Sequence, residues 1–105
     1  MLSKQFINQV KQATDMVKLA KQYTELKLVG EGIWQGVCPH PDHKDDTPSF
    51  TVWENTQSWA CMGCHSGKKD IKHKNYGSDC IAFIQWIEGM KWREAVLHLA
   101  KEAGI

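Results

Sequence analysis

Apolar positions along the chain follow three successive patterns. Between Leu2 and Tyr23 they recur at helical spacing. Ser3 can cap a first segment that turns Phe6, Ile7 and Val10 to one side. Thr14 or Asp15 can start a second segment, in which Met16, Leu19, Ala20 and Tyr23 share a face while Lys18, Lys21 and Gln22 point away. From Leu26 to Trp59 the pattern changes to short pieces broken by Gly and Pro: L-K-L-V, I-W-Q-G-V, S-F-T-V-W and S-W-A-C. These predict an antiparallel meander with a hairpin at Glu54 to Gln57, and Phe50 and Val52, alternating with Thr51, mark an inward face. Helical signals return after Tyr76. Asp79 can cap a helix carrying Ile81, Ala82, Phe83, Trp86 and Ile87 up to Gly89. A final helix carries Trp92, Ala95, Val96, Leu99 and Ala103 before Gly104 stops it. The fold class is α+β, a small antiparallel sheet flanked by N-terminal and C-terminal helices.

A chain of 105 residues has room for one domain, 1–105, whose small core gains from an additional staple. The formal charge of +1, from 13 Lys and Arg against 12 Asp and Glu, excludes a generally basic duplex binder and leaves nucleic-acid binding to a local patch. The opening M-L-S-K-Q-F-I-N-Q-V lacks the apolar run of a signal peptide, and no later stretch has the length of a membrane span. A cytoplasmic location follows as an expectation, and in that reducing compartment four cysteines point to metal before disulfides.

The metal reading rests on C-P-H-P-D-H, Cys38 to His43, followed after 17 residues by C-M-G-C, Cys61 to Cys64. Zinc takes four tetrahedral sulfur and nitrogen ligands, and a Cys-x-x-Cys turn supplies two of them. The hairpin between the two pairs would bring them together, so one structural zinc held by Cys38, His43, Cys61 and Cys64 is expected, in a zinc-ribbon-like sheet. His43 is preferred to His40 because a single proline separates His40 from Cys38, leaving little freedom to aim both side chains at one centre. His40 is then a supporting or surface residue. Cys80, beside Ile81 at an apolar helical position, reads as core packing.

With these residues in place, the chain resembles the Cys-His-Cys-Cys zinc-binding domain of bacterial and phage DnaG-type DNA primases. D-M-V-K-L-A-K-Q-Y-T-E-L, W-Q-G-V-C-P, T-P-S-F-T-V, W-A-C-M-G-C, G-S-D-C-I-A-F-I and W-R-E-A-V-L-H-L-A-K-E-A-G-I follow the family's order over nearly the whole chain. His43 precedes Thr47 at the family's distance and His40 does not. Departures stand beside the likeness. Two extra residues separate Cys38 from His43, Thr56 occupies a hairpin position that is frequently basic, and residues 68–76 look like a basic insertion. No region resembles the family's polymerase core, so this chain alone is not expected to be an enzyme.

The resemblance implies a module of DNA primase that binds single-stranded DNA template and assists initiation-site selection for primer synthesis in DNA replication. Its implied partners are the primase polymerase domain, in cis or trans, and a replicative helicase through the full-length protein, with no membrane. Aromatic rings that stack on unpaired bases and lysines that follow the phosphates supply the physical basis. Trp34, Trp53 and Trp59 in the strands, with Lys27, Lys68, Lys69, Lys72 and Lys74, are the candidate contacts, although alternation turns one or two of the tryptophans inward. Trp86 and Trp92, at amphipathic helix positions, read as structural. The competing class is a stand-alone zinc-stabilised protein-interaction module of a mobile element, docking on replication proteins.

Overall fold

A computed structural model describes residues 2–40, 49–61 and 79–105. Its elements in chain order are α1 (Lys4–Ala13), α2 (Met16–Lys21), β1 (Lys27–Gly30), β2 (Ile33–Gly36), β3 (Phe50–Trp53), β4 (Ser58–Cys61), α3 (Cys80–Glu88) and α4 (Trp92–Glu102). The strands form one antiparallel sheet in the order β1-β2-β3-β4, the expected meander with the expected turn at Glu54 to Gln57.

Each helix begins where a side chain satisfies its free N–H groups. Ser3 Oγ accepts from the Phe6 N–H at 3.0 Å. Asp15, rather than Thr14, starts α2, its carboxylate accepting from the N–H groups of Val17 and Lys18 at 2.9 and 3.3 Å. Asp79 does the same for Ala82 at 2.8 Å, and the Lys91 N–H donates to the Glu94 carboxylate in the first turn of α4. Gly89 ends α3 with φ 72°, a left-handed residue where glycine carries no steric cost. Helix α2 stops at Lys21, short of the apolar repeat, so Tyr23 lies beyond its end. There the Tyr23 hydroxyl donates to Glu88 at 2.7 Å and its ring meets Phe83 edge-on at 5.5 Å.

Residues directly opposite in an antiparallel sheet share a face. The register therefore puts Trp34, Val52 and Trp59 in one row and Gly36, Phe50 and Cys61 in the next. This is the core face: Phe50, Val52 and Cys61 are fully buried and Trp59 is 1% exposed. Helix α3 covers it through an aromatic cluster. Trp59 stacks on Trp86 at 4.8 Å and meets Phe83 edge-on at 5.5 Å, while Phe50 lies 5.8 Å from Phe83. Pairs of this kind add about 0.5–1.5 kcal/mol each beyond their burial. Val10, Met16, Ala95, Val96 and Leu99 complete the core from α1, α2 and α4. Trp92 departs from the expected apolar face of α4. It is the first residue of α4 and 45% exposed.

Cys80 does belong to the core, at 5% exposure. Burial, then the charge of Asp79, pushes its thiol up to about 11, so it stays protonated and unreactive at neutral pH. Tyr23 moves the same way, up to about 12, through burial and its bond to Glu88.

The tightest backbone approach is at Gly36. A Cβ there would run into the Glu25 carbonyl oxygen and lie 3.0 Å from Leu26 Cδ2. Gly36→Ala should therefore cost about 1–3 kcal/mol, because main chain has to move. An unchanged denaturation midpoint would refute that tight approach. A second expectation concerns alkaline pH. An unfolded thiol loses its proton near its ordinary value of 9.0 and the folded Cys80 thiol only near 11, so its contribution is fully present below pH 9 and is lost as pH rises to 11. The loss amounts to about 3 kcal/mol at most. Denaturant midpoints measured from pH 8 to 11 should fall more steeply for the parent than for Cys80→Ala, and parallel curves would contradict the shifted thiol.

Candidate metal end and nucleic-acid face

The meander gives the sheet two unlike ends. Strand β2 runs from the Gly30 to Gly32 turn toward Gly36, β3 returns from Phe50 to Trp53, and β4 runs back from Ser58 to Cys61. Both hairpin turns therefore sit at one end. At the other end β2 leads into Cys38 and β4 finishes on Cys61. The two thiols are 8% and 0% exposed, and Cys38, Cys61 and Cys80 are all free of disulfides. Two buried thiols delivered to the same end of one small sheet suit a thiophilic cation such as zinc. The Ser49 hydroxyl lies 3.8 Å from Cys61 Sγ, within reach of a weak hydrogen bond that would moderate a thiolate. His43 and Cys64 lie outside the described residues, as do Lys68, Lys69, Lys72, Lys74 and the rest of the 68–76 segment.

His40 packs on α3. Its ring lies 5.0 Å from that of Trp86, tilted by 42°, so it extends the aromatic cluster toward the cysteine end. Nothing in the C-P-H-P-D-H pattern signals this contact, because its partner is on α3.

The three strand tryptophans have separate fates. Trp59 is core: its rings are covered by Trp86 and Phe50, and its indole N–H donates to the Asp79 carbonyl at 2.9 Å. The reading of Trp59 as a base-stacking residue is therefore corrected, because the register turns it toward α3. Trp34 shares that face at the rim of the core. The Lys21 ammonium sits 4.2 Å above its ring and its N–H donates to the Glu54 carboxylate at 3.0 Å. Both its polar edge and one face are already occupied. Trp53 is different. It belongs to the second face with Ile33 and Ser58, is half-buried, and lies apart from the core cluster. Lys27 lies on that same face, opposite Gln35, and is exposed. Thr51 and Ala60, at the centre of this face, are buried at 6% and 3%.

Glu54 and Lys21 went unrecognised in the sequence because each acts through Trp34, across elements. A cleft of about 530 Å³ lies between the α1–α2 corner, the β3–β4 turn and the start of α3. Several of its polar groups already have partners. Asp15 and Asp79 cap helices, Lys11 pairs with Asp79 at 3.1 Å, and the Gln57 amide accepts from the Met16 N–H and donates to the Glu54 carbonyl. Among the described residues no helix is long and apolar enough to cross a membrane.

Comparison with known proteins agrees with this geometry. The family model described as CHC2 zinc finger matches residues 2–105. The DNA primase of Thermotoga maritima is 31% identical over 105 residues, covering 100% of this chain and 16% of that protein. The DNA primase of Treponema pallidum is 35% identical, covering 99% of this chain and 15% of its own length. A crystal structure of the Aquifex aeolicus primase, comprising zinc-binding and RNA polymerase domains, superposes with a TM-score of 0.73 at 34% identity, over 99% of this chain and 22% of that one. The chain thus spans about a sixth of the curated relatives it matches. With the α+β fold, the paired buried thiols and a family match across the described elements, the chain belongs to the CHC2 zinc-finger family, the zinc-binding domain of DNA primases.

Proposed function

We propose that this chain holds one structural zinc through Cys38, His43, Cys61 and Cys64 and serves a DNA primase by binding single-stranded template where primer synthesis begins. The observation that carries the reading is the delivery of two buried thiols, Cys38 and Cys61, to one end of a sheet whose second face bears Trp53 and Lys27. Three thiolates and an imidazole leave no open position on zinc, so its contribution is to hold the fold. Chain groups do the rest. Trp53 offers a ring to an unpaired base, a contact worth about 1–3 kcal/mol, and Lys27 offers a charge to the phosphates. The lysines of 68–76 add positive charge close in sequence to Cys64 and are proposed to share that role.

Polymerisation belongs to other parts of a primase. The partners proposed are accordingly a polymerase domain, in cis or in trans, and a replicative helicase reached through the full-length protein, working in the cytoplasm. The rival reading, a zinc-stabilised module that docks on replication proteins without touching DNA, draws on the near-neutral total charge. Single-strand binding compared with and without zinc separates the two.

Protein prepared under reducing, chelator-free conditions should contain one zinc per chain, and chelation should unfold the ligand-bearing sheet. His43→Ala should lose zinc far more readily than His40→Ala, and the reverse order would exchange the two histidines. Cys80→Ala should keep its zinc. In single-strand binding, Trp53→Ala should weaken affinity about tenfold, whereas Trp53→Phe should retain much of it. Equal affinity for parent and Trp53→Ala would remove this residue from the interface.

A further inference from the structure

The second face of the sheet carries polar groups that the fold itself does not use. By register, Lys27, Gln35, Thr51 and Ala60 form one row across it, and Ile33, Trp53 and Ser58 form the next. Thr51 is buried, and the Ser58 hydroxyl is bonded to that of Thr56 at 2.6 Å. Comparable groups on the core face and at the turn have partners. The indole N–H groups of Trp34 and Trp59 donate to the Glu54 carboxylate and the Asp79 carbonyl, and the Gln57 amide accepts from Met16 and donates to Glu54. On the second face, by contrast, the Trp53 N–H, the Gln35 amide and the Lys27 ammonium have no hydrogen-bond or ionic partner among the described residues.

Gln35 stands between the other two. It lies directly opposite Lys27 and diagonal to Trp53, because Trp53 pairs with Ile33, two residues before Gln35 on the same strand face. Diagonal neighbours on one face are about 7–8 Å apart, a span that a glutamine side chain and a base lying over an indole close between them. An amide offers an acceptor beside a donor, so it matches a base edge with a donor beside an acceptor. Adenine alone presents that pair on both its Watson–Crick edge, through N6 and N1, and its Hoogsteen edge, through N6 and N7, and both edges are open in a single strand. We infer that Gln35 gives this face a base preference: a nucleotide whose ring lies on Trp53 and whose phosphate lies near Lys27 is selected as adenine, its N6 donating to the Gln35 amide oxygen and its N1 or N7 accepting from the amide N–H. This rests on the proposed single-strand binding and names the base that it selects.

The test uses the zinc-loaded chain and fluorescein-labelled oligothymidylates of one length, carrying at the centre a single adenine, cytosine or guanine, or no replacement. The parent should bind the adenine strand about fivefold more tightly than the others. Gln35→Ala should remove that preference while keeping the affinity for oligothymidylate and the zinc content. A strand with unsubstituted purine in place of adenine keeps the stacking surface but lacks the N6 amino group, so the parent should lose most of the gain on it, and Gln35→Ala should bind adenine and purine strands alike. The purine comparison needs no protein variant, so it stands even if Gln35→Ala fails to fold. A parent that binds all four strands equally, prefers another base, or does not distinguish adenine from purine would refute the selection while single-strand binding stands, as would an adenine preference that survives in Gln35→Ala. A parent that binds none of the strands would remove the underlying reading and the selection with it.

Discussion

The stacking of Trp59 on Trp86, 4.8 Å apart and nearly parallel, is the contact on which the arrangement of this small protein depends. It fixes β4 to α3, and Phe50 and Phe83 close around it to make the thickest part of the core. A four-stranded sheet with strands of four residues buries too little by itself to be stable. One face must be covered by large side chains. Here that cover comes from α3, a helix beyond the second cysteine pair in sequence. The Trp59 N–H bond to the Asp79 carbonyl ties the start of α3 to the middle of β4. Asp79 also caps that helix, and a single residue thereby links helix initiation to sheet position.

The cost of this economy falls on the backbone. With so short a sheet, β2 has to pass directly against the segment that leads from α2 into β1. Only an absent side chain at Gly36 permits it. Two residues later the chain reaches Cys38. The glycine in W-Q-G-V-C-P is thus part of the route that brings the first thiol to the correct end of the sheet, a geometric role separate from metal binding.

Helix starts were legible in the sequence because capping is local: Ser3, Asp15 and Asp79 act within three residues of themselves. The meander was legible for a similar reason, since turn residues and strand alternation are short-range signals. What could not be read was which tryptophan faces which way. Trp53 and Trp59 sit in similar short runs, yet a register in which Trp53 pairs with Ser58 and Trp59 with Val52 sends them to opposite faces. Register depends on the turn between them, where Gln57 takes a left-handed φ of 53° and bonds to α2. The contacts of His40 with Trp86 and of Glu54 with Trp34 were invisible for the same reason. They join elements whose separation only the folded chain sets.

The two ends of the sheet are secured by different kinds of bond, and this has a functional consequence. At the hairpin end, neutral hydrogen bonds dominate: Glu54 to Gly32, and Gln57 to both Met16 and Glu54. Such bonds contribute about 0.5–1.5 kcal/mol each whatever ligand is present. At the other end the Ser49 hydroxyl meets the Cys61 sulfur in a weak contact, and the His40 ring lies against Trp86. The hairpin end is therefore held by the chain's own hydrogen bonds, whereas the cysteine end is the one that a metal on the proposed ligands would strengthen. Trp53 stands next to the hairpin end and Lys27 two residues nearer the cysteine end, both on the second face of one short sheet. Under the proposed function, loss of zinc would therefore reach the stacking ring and the phosphate contact together, because strands of four residues leave no part of the sheet able to stand without the rest.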